Sequence, residues 1–498
     1  METQEEGTPS SRNFPQILDL LKGRRLVLVS NREPYIHKRS KRGIKSERGP
    51  GGLVAGLDPV MRLIGGLWVA WGSGNADFDV AAPGSPIEVP PDDPQYELKR
   101  VRLSASELGN YYYGFANRTL WPLAHYMLGR ATFEPRYWTS YRRVNDKFAR
   151  AVLEEQRPGD IILINDYHLC LVPSRLREEG SAGRIGFFNH IPWPPWEIFR
   201  ALPWRREILL GMLGADVIGF HIAPYVKNFL RCVENELDLP VDMEEGTVEL
   251  SSHRAKAFAI PLGIDYAEIA ALTQEREVIK GAARIRKRVR TEHLVLGVER
   301  LDYTKGIPER LLAFEHLLSR YPSYRGQVTL IQKISPSRSK VGEYRQLKQE
   351  IDQLVGHING RFQRLDWIPV HYLYQSLPFR QLVSLYLTAD IGLVTPLVDG
   401  LNLVAKEYVA AKGQSKDGVL ILSETAGAAR ELTEALLVNP YDVQGVAQAM
   451  RSALTMSASE RRNHMERLTA KVKGHNIYWW LKELLGEVVG PCGEAPNG

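Results

Sequence analysis

Chemistry is densest in Gly297-Val298-Glu299-Arg300-Leu301-Asp302-Tyr303-Thr304-Lys305-Gly306, where two cations and two carboxylates crowd together. An apolar run, EHLVLGVE, precedes the segment, and a helical pattern, IPERLLAFEHLL, follows it. At a strand end and helix start, Arg300 and Lys305 are two fixed positive charges where a diphosphate would sit. A surface salt-bridge network is the competing reading; strand ends facing a cleft favour function. Asp399-Gly400-Leu401-Asn402 follows the strand-like DIGLVTP and opens another helix. There a carboxylate can accept sugar hydroxyls, and the N–H groups after Gly400 can meet phosphate. Glu407, two turns in, suits a bidentate grip on a ribose. Asp166-Tyr167-His168 after DIILIN, and His190 after RIGFFN, put acid and imidazole at two more strand ends. A lone histidine is usually structural; two at strand ends make the catalytic reading its equal.

Two glycine-rich segments are weaker signals. Ser30-Asn31-Arg32 and then Gly49-Pro50-Gly51-Gly52-Leu53 lead into an apolar helix pattern. They match neither a Walker loop nor a dinucleotide fingerprint, yet offer small backbone able to approach a diphosphate, with an ordinary turn as the alternative. Gly72-Ser73-Gly74-Asn75-Ala76-Asp77-Phe78-Asp79 lacks the final glycine of GxGxxG. Its Asp-x-Asp is read as loop solvation, not as a metal site.

Such residues need a scaffold that aligns strand ends. Short β-branched runs alternate with amphipathic stretches almost throughout, as in stacked β-α-β units. The first half offers RLVLVS, LWVAWG, YELKRVRL, DIILIND, RIGFFNHI, DVIGFH and AKAFAIP; the second offers EHLVLGVE, QVTLIQKI, DIGLVTP, GVLILSE and ALLVNP. YWTSYRRVNDKFARAVLEEQ and PYVKNFLRCVENEL space their apolar residues helically. The expected fold class is α/β: two Rossmann-like doubly wound domains with the active site in the cleft between them. The chain divides into a flexible segment 1–23, domains 24–263 and 264–472, a helix 473–487 and a tail 488–498. The helix carries Trp479-Trp480, which want a partner surface across the domain boundary. A highly charged helical segment, EREVIKGAARIRKRVR, separates the halves after Pro261-Leu262-Gly263.

At 498 residues the chain needs no disulfide or metal staple. Cys170, Cys232 and Cys492 lack ligand spacing and fit a reducing cytoplasm. No apolar run approaches the ~18 residues of a membrane span, and the acidic N-terminus lacks a signal pattern. The charge of +6 is mild, with no reader motif for nucleic acid, and suggests anionic small substrates. No pattern fixes a homo-oligomer.

Together, SNR at Ser30–Arg32, GPGGLVAGL, GLWVAW, YYYGFANRTLWPLAHY, DYHL, GFFNHIPWP, VERLDYTKGIPER, SPSR, DGLNLVAKEYVAAK and LSETAGAARELTEALLVNPYD resemble the trehalose-6-phosphate synthase family. The resemblance spans about Arg24 to about Leu485. It implies a retaining, metal-independent glycosyltransferase of two-Rossmann (GT-B) architecture, moving glucose from a nucleotide-glucose donor, UDP-glucose foremost, to glucose 6-phosphate to form α,α-trehalose 6-phosphate. It implies an acceptor-binding first domain, a donor-binding second domain and no cofactor. Arg300 and Lys305, with the Gly51-Gly52 loop, would bind the donor diphosphate. Asp399 would hold the donor glucose hydroxyls, Asn402 and Leu403 backbone would lie near the phosphates, and Glu407 would hold the ribose. Arg32, Tyr112 and Arg338 would take the acceptor phosphate, and Trp121 and Asp166 the acceptor sugar. His190 would lie near the donor 6-hydroxyl and the reacting carbon.

The chain departs from the family pattern at Asn165, where many relatives have histidine, and at Asn189. Neutral variation and altered acceptor choice both account for these asparagines. The stretch Glu33–Arg42 is more basic than its role requires, and reads as a solvated loop or as a lid over phosphorylated substrate. Glycerol 3-phosphate is the rival acceptor, and a silent sugar-phosphate sensor the rival class. The donor base is open.

Overall fold

A computed structural model describes residues 9–41, 43–49, 52–82, 84–337 and 342–490. The chain forms two units, Met1–Pro261 with Ile477–Gly498, and Leu262–Asn476.

The first unit contains β1 (Leu26–Arg32), β2 (Tyr35–Ser40), β3 (Gly43–Arg48), β4 (Leu67–Trp71), β5 (Ile87–Val89) and β6 (Tyr96–Val101). It continues with β7 (Ile161–Asn165), β8 (Arg184–Phe188), β9 (Val217–Phe220), β10 (Val241–Asp242), β11 (Thr247–Glu249) and β12 (Arg254–Ala259). Its main sheet runs β10-β11-β12-β9-β8-β7-β1-β4-β6-β5. From β12 to β6 the strands are parallel, and antiparallel strands close both edges. Leu26, Val27, Leu28 and Val29 are all buried, as a strand covered on both faces requires. The strand order turns round between β1 and β7, and a doubly wound sheet opens a crevice at the carboxyl ends of such strands. Arg32 ends β1, and Asp166 follows β7. Pairing of β1 with β4 slips between Ser30 and Arg32, so that Asn31 is an extra residue in the ladder. Such a bulge re-aims the side chain beside it.

The second unit contains β13 (His293–Arg300), β14 (Val328–Ser335), β15 (Val370–Tyr374), β16 (Ile391–Val394), β17 (Val419–Ser423) and β18 (Leu436–Val438). All are parallel, in the order β15-β14-β13-β16-β17-β18. Renumbered within the unit this is 3-2-1-4-5-6, the dinucleotide-fold order, with its switch point between β13 and β16. Arg300 ends β13, and Asp399 lies in the loop after β16.

Three expectations change. Segment 1–23 is not wholly loose: Pro9–Leu21 is a helix, with Ile17 and Leu21 buried one turn apart on one face. The charged stretch is helical as read, Arg276–Val289, but it is part of the second unit and not a boundary between the halves. Its Val278 packs on Leu272 and Val383, and Arg286 grips Asp390 through both guanidinium nitrogens at 2.9 and 3.0 Å. The basic stretch after β1 is a hairpin, with β2 and β3 paired from Tyr35↔Arg48 to Ser40↔Gly43.

The final helix, Ile477–Val489, belongs to the first unit. Trp480 is fully buried edge-to-face on Phe188, with ring centres 5.1 Å apart. No described helix is long and apolar enough to cross a membrane.

Candidate active site

In the first unit a wide helix, Leu108–Leu120, carries part of the site. Its hydrogen bonds span five residues, as where the Trp121 N–H donates to the Ala116 carbonyl. Helices this wide are rare, and short ones often mark functional sites. Tyr111 Oη donates to Asn31 Oδ1 (2.9 Å), and Tyr167 Oη to Asn117 Oδ1 (3.2 Å), pinning the helix to the ends of β1 and β7. Tyr112 thereby meets Arg32: the guanidinium donates to the phenol oxygen at 2.6 Å. The Tyr112 ring stacks on His168 at 5.7 Å and 13°. His168 is a buried platform for Tyr112.

Asp166 takes a left-handed conformation, φ +81°, at the end of β7. Its carboxylate accepts the Tyr167 N–H (3.0 Å) and the His190 N–H (3.3 Å), tying two strand ends together. His190 Nε2 lies 3.0 Å from Asn165 Oδ1. Burial, and then the neighbouring His221, hold the His190 imidazole well below its ordinary pKa, so it is neutral near pH 7. Trp121 is buried against His125 (4.1 Å) and Tyr167 (5.9 Å).

In the second unit Lys305 and Asp399 meet directly, Nζ to Oδ2 at 2.5 Å, and Asn402 Nδ2 donates to the same oxygen at 2.9 Å. Asn402 also caps the helix Leu403–Lys412, accepting the Ala405 N–H at 3.2 Å. Gly306 lets this loop turn: its φ is +60°, and a Cβ would come 2.3 Å from the Thr395 carbonyl. Arg300 is exposed, 4.0 Å from Asp302. Asp302 is fully buried, holding the turn through Thr304 N and Oγ1, both at 3.1 Å. Glu407 accepts the Tyr386 hydroxyl at 2.6 Å, and burial pushes its carboxyl up to about 7. Of the pieces expected to bind a donor, Lys305, Asp399 and Asn402 are in direct contact, while Arg300 lies by Asp302 and Glu407 by Tyr386.

Gly51 and Arg338 lie outside the described residues, and Gly52 opens the helix Gly52–Ile64. Arg310 is a residue the sequence reading missed. Fully buried, it donates to Glu299 (2.8 Å), Thr395 Oγ1 (3.0 Å) and the Lys305 carbonyl (3.2 Å), supporting the cationic loop from beneath. Trp480, read from the sequence only as an aromatic in need of a partner surface, has its ring centre 6.3 Å from that of His190. Asp77 is engaged by the His37 N–H at 2.6 Å and by the Gly74 N–H, and Asp79 by Arg39 at 2.8 Å. Those carboxylates tie the hairpin to the glycine-rich turn.

Glu33, next to Arg32, joins the same network. It accepts Ser73 N (2.6 Å), Ser73 Oγ (2.8 Å) and Arg100 Nε (2.8 Å). Burial, reinforced by Asp77, pushes its carboxyl from 4.5 up to about 7. The folded protein therefore holds this proton more tightly than the unfolded chain does. The resulting stabilisation is full below about 4.5 and lost as pH rises through about 7. Glu33→Gln is expected to flatten the fall of Tm between about pH 5 and about pH 8, an effect of roughly 1–3 kcal/mol. A melting series by circular dichroism checks it, and an unchanged slope counts against the assignment.

Comparison with known proteins places this geometry. The model of glycosyltransferase family 20 matches residues 24–489. The chain is 41% identical over 468 residues to the trehalose-6-phosphate synthase of Mycobacterium avium, covering 92% of this chain and 94% of that one. It is 39% identical to a bifunctional trehalose-6-phosphate synthase/phosphatase of Thermoproteus tenax, covering 93% of this chain but only 63% of that longer protein. Among solved structures, the alpha,alpha-trehalose-phosphate synthase (UDP-forming) of Burkholderia xenovorans, in complex with glucose-6-phosphate, aligns with a TM-score of 0.84 at 34% identity. That alignment covers 94% of this chain and all of the other.

Proposed function

The chain belongs to glycosyltransferase family 20, and from that membership we infer that it moves glucose from UDP-glucose to glucose 6-phosphate, forming α,α-trehalose 6-phosphate. The observation that carries most weight is the UDP-forming synthase with glucose 6-phosphate bound, whose fold matches over 94% of this chain. UDP-glucose carries an α anomeric bond and the product is α at both centres, so the transfer retains configuration.

The proposed roles follow from the charge that develops. Breaking the C1–O bond to the diphosphate puts negative charge on the leaving oxygens and positive charge on the ring carbon. Arg300 and Lys305 stabilise the former more in the transition state than in the bound donor. The Lys305–Asp399 contact sets a cation for the diphosphate beside a carboxylate for the glucose hydroxyls, the two neighbouring demands of one nucleotide sugar. Arg32 with Tyr112 takes the acceptor phosphate, and Asp166 with Trp121 the acceptor ring. A retaining glycosidase would use two carboxyls about 5–5.5 Å apart. Here the acceptor C1 hydroxyl attacks from the leaving-group face: its oxygen bonds to the donor C1, the C1–O(phosphate) bond breaks, and its proton passes to the departing phosphate oxygen. The free, buried thiols of Cys170 and Cys232 fit a reducing compartment, and we place the enzyme in the cytoplasm.

Nucleotide release with UDP-, GDP- or ADP-glucose, each paired with glucose 6-phosphate or glycerol 3-phosphate, tests the reading. Release from UDP-glucose that depends on glucose 6-phosphate is expected. Release with glycerol 3-phosphate alone would change the acceptor, and none with any pair would make the protein a sensor.

A further inference from the structure

We propose that Asn165 is a positioning residue that fixes His190 as its Nε2–H tautomer, so that Nδ1 faces the donor sugar as a hydrogen-bond acceptor. The donor-facing part rests on the function inferred above; the tautomer rests on geometry alone.

Asn165 is the last residue of β7 and is fully buried. Its amide nitrogen lies 3.4 Å from the Val29 carbonyl on β1 and 3.3 Å from the Leu163 carbonyl on its own strand. Both neighbours are acceptors, so the NH₂ group must point at them. Turning the amide over would set its oxygen against two carbonyl oxygens inside the sheet, a repulsion that the observed orientation avoids. The oxygen is therefore aimed at His190, 3.0 Å from Nε2. An amide oxygen only accepts, so Nε2 must carry the hydrogen.

The rest of the surroundings keep the ring in that state. The His190 backbone N–H is held by Asp166. The ring packs on Phe188 (4.7 Å), His221 (5.3 Å) and Trp480 (6.3 Å), an environment that disfavours the imidazolium. A neutral imidazole protonated at Nε2 has its lone pair at Nδ1. It can accept a hydroxyl hydrogen from the donor sugar but cannot donate one. The asparagine that departs from the histidine of many relatives thus sets the polarity of the ring next to it.

The test is ¹⁵N-imidazole NMR of the whole protein, joined to steady-state kinetics. In the unaltered protein His190 is expected to show a protonated Nε2 and an unprotonated Nδ1 at neutral pH. Asn165→Leu, of similar size without the acceptor, is expected to lose the single-tautomer signature and to lower kcat at least about tenfold, with the KM for glucose 6-phosphate unchanged. Asn165→Asp, which keeps an acceptor, should retain the Nε2–H signal. A His190 protonated at Nδ1 in the unaltered protein would overturn the proposal even if the leucine variant fails to fold. A folded leucine variant with the original tautomer and rate would also overturn it. If the protein makes no product, the inferred function fails while the NMR result still decides the tautomer.

Discussion

Arg300→Ala is expected to lower kcat by roughly 10²–10³-fold, the usual effect of removing one preorganised group from developing negative charge. The side chain is exposed, 4.0 Å from Asp302, and an ion pair open to solvent contributes little stability. Loss of rate without loss of Tm is therefore the signature. The KM for glucose 6-phosphate should hardly move, because the acceptor is assigned to Arg32, Tyr112 and Asp166. Arg300→Lys should recover only part of the rate, since an ammonium keeps the charge but not the forked geometry that suits a diphosphate. Near-normal turnover in the alanine variant would remove Arg300 from the mechanism.

Arg310→Met is expected to cost about 3–5 kcal/mol, because it leaves the Glu299 carboxylate buried without its partner. Glu299 is 4% exposed, and burial already pushes its carboxyl up against the pull of Arg310 and Lys305. The change should lower Tm by on the order of 10 °C. Activity should fall as well, because the lost guanidinium also holds the Lys305 carbonyl and Thr395 on either side of the cationic loop. Adding Glu299→Leu to Arg310→Met should restore much of the stability, since replacing both ions by apolar groups removes the unpaired charge. Melting curves of the two single variants and the double variant check this. Additive losses would show that the two residues do not act as a pair.

The sequence reading reached Arg300, Lys305, Asp399 and Glu407 because each follows an apolar strand run or opens a helix, signals carried within about ten residues. Strand order was out of its reach. That β13 lies beside β16, and β1 beside β7, depends on pairing between segments far apart in the chain, yet this order is what makes Arg32 and Asp166 neighbours. Arg310 lies within the helical pattern IPERLLAFEHLL and was not singled out. Nothing local shows its side chain turning inward to Glu299. The wide helix Leu108–Leu120 was equally hidden, because its Tyr, Gly and Asn residues follow neither a 3.6 nor a 2 period. The strand β15 was missed because its residues after Val370 are only half-buried at a sheet edge, without a continuous apolar run. Asn165 was visible as a departure, but its role needed the register that brings the Val29 carbonyl to it.

The central claim is a metal-independent transfer of glucose, with retention, onto the anomeric hydroxyl of glucose 6-phosphate. NMR of the product made from UDP-[1-¹³C]glucose and glucose 6-phosphate, in chelator-treated buffer, tests it most directly. The account predicts a non-reducing phosphorylated disaccharide, with the label at one of two anomeric centres and the small couplings of α linkages at both. A labelled β centre, a free reducing end, or activity that returns only with a divalent cation would contradict it.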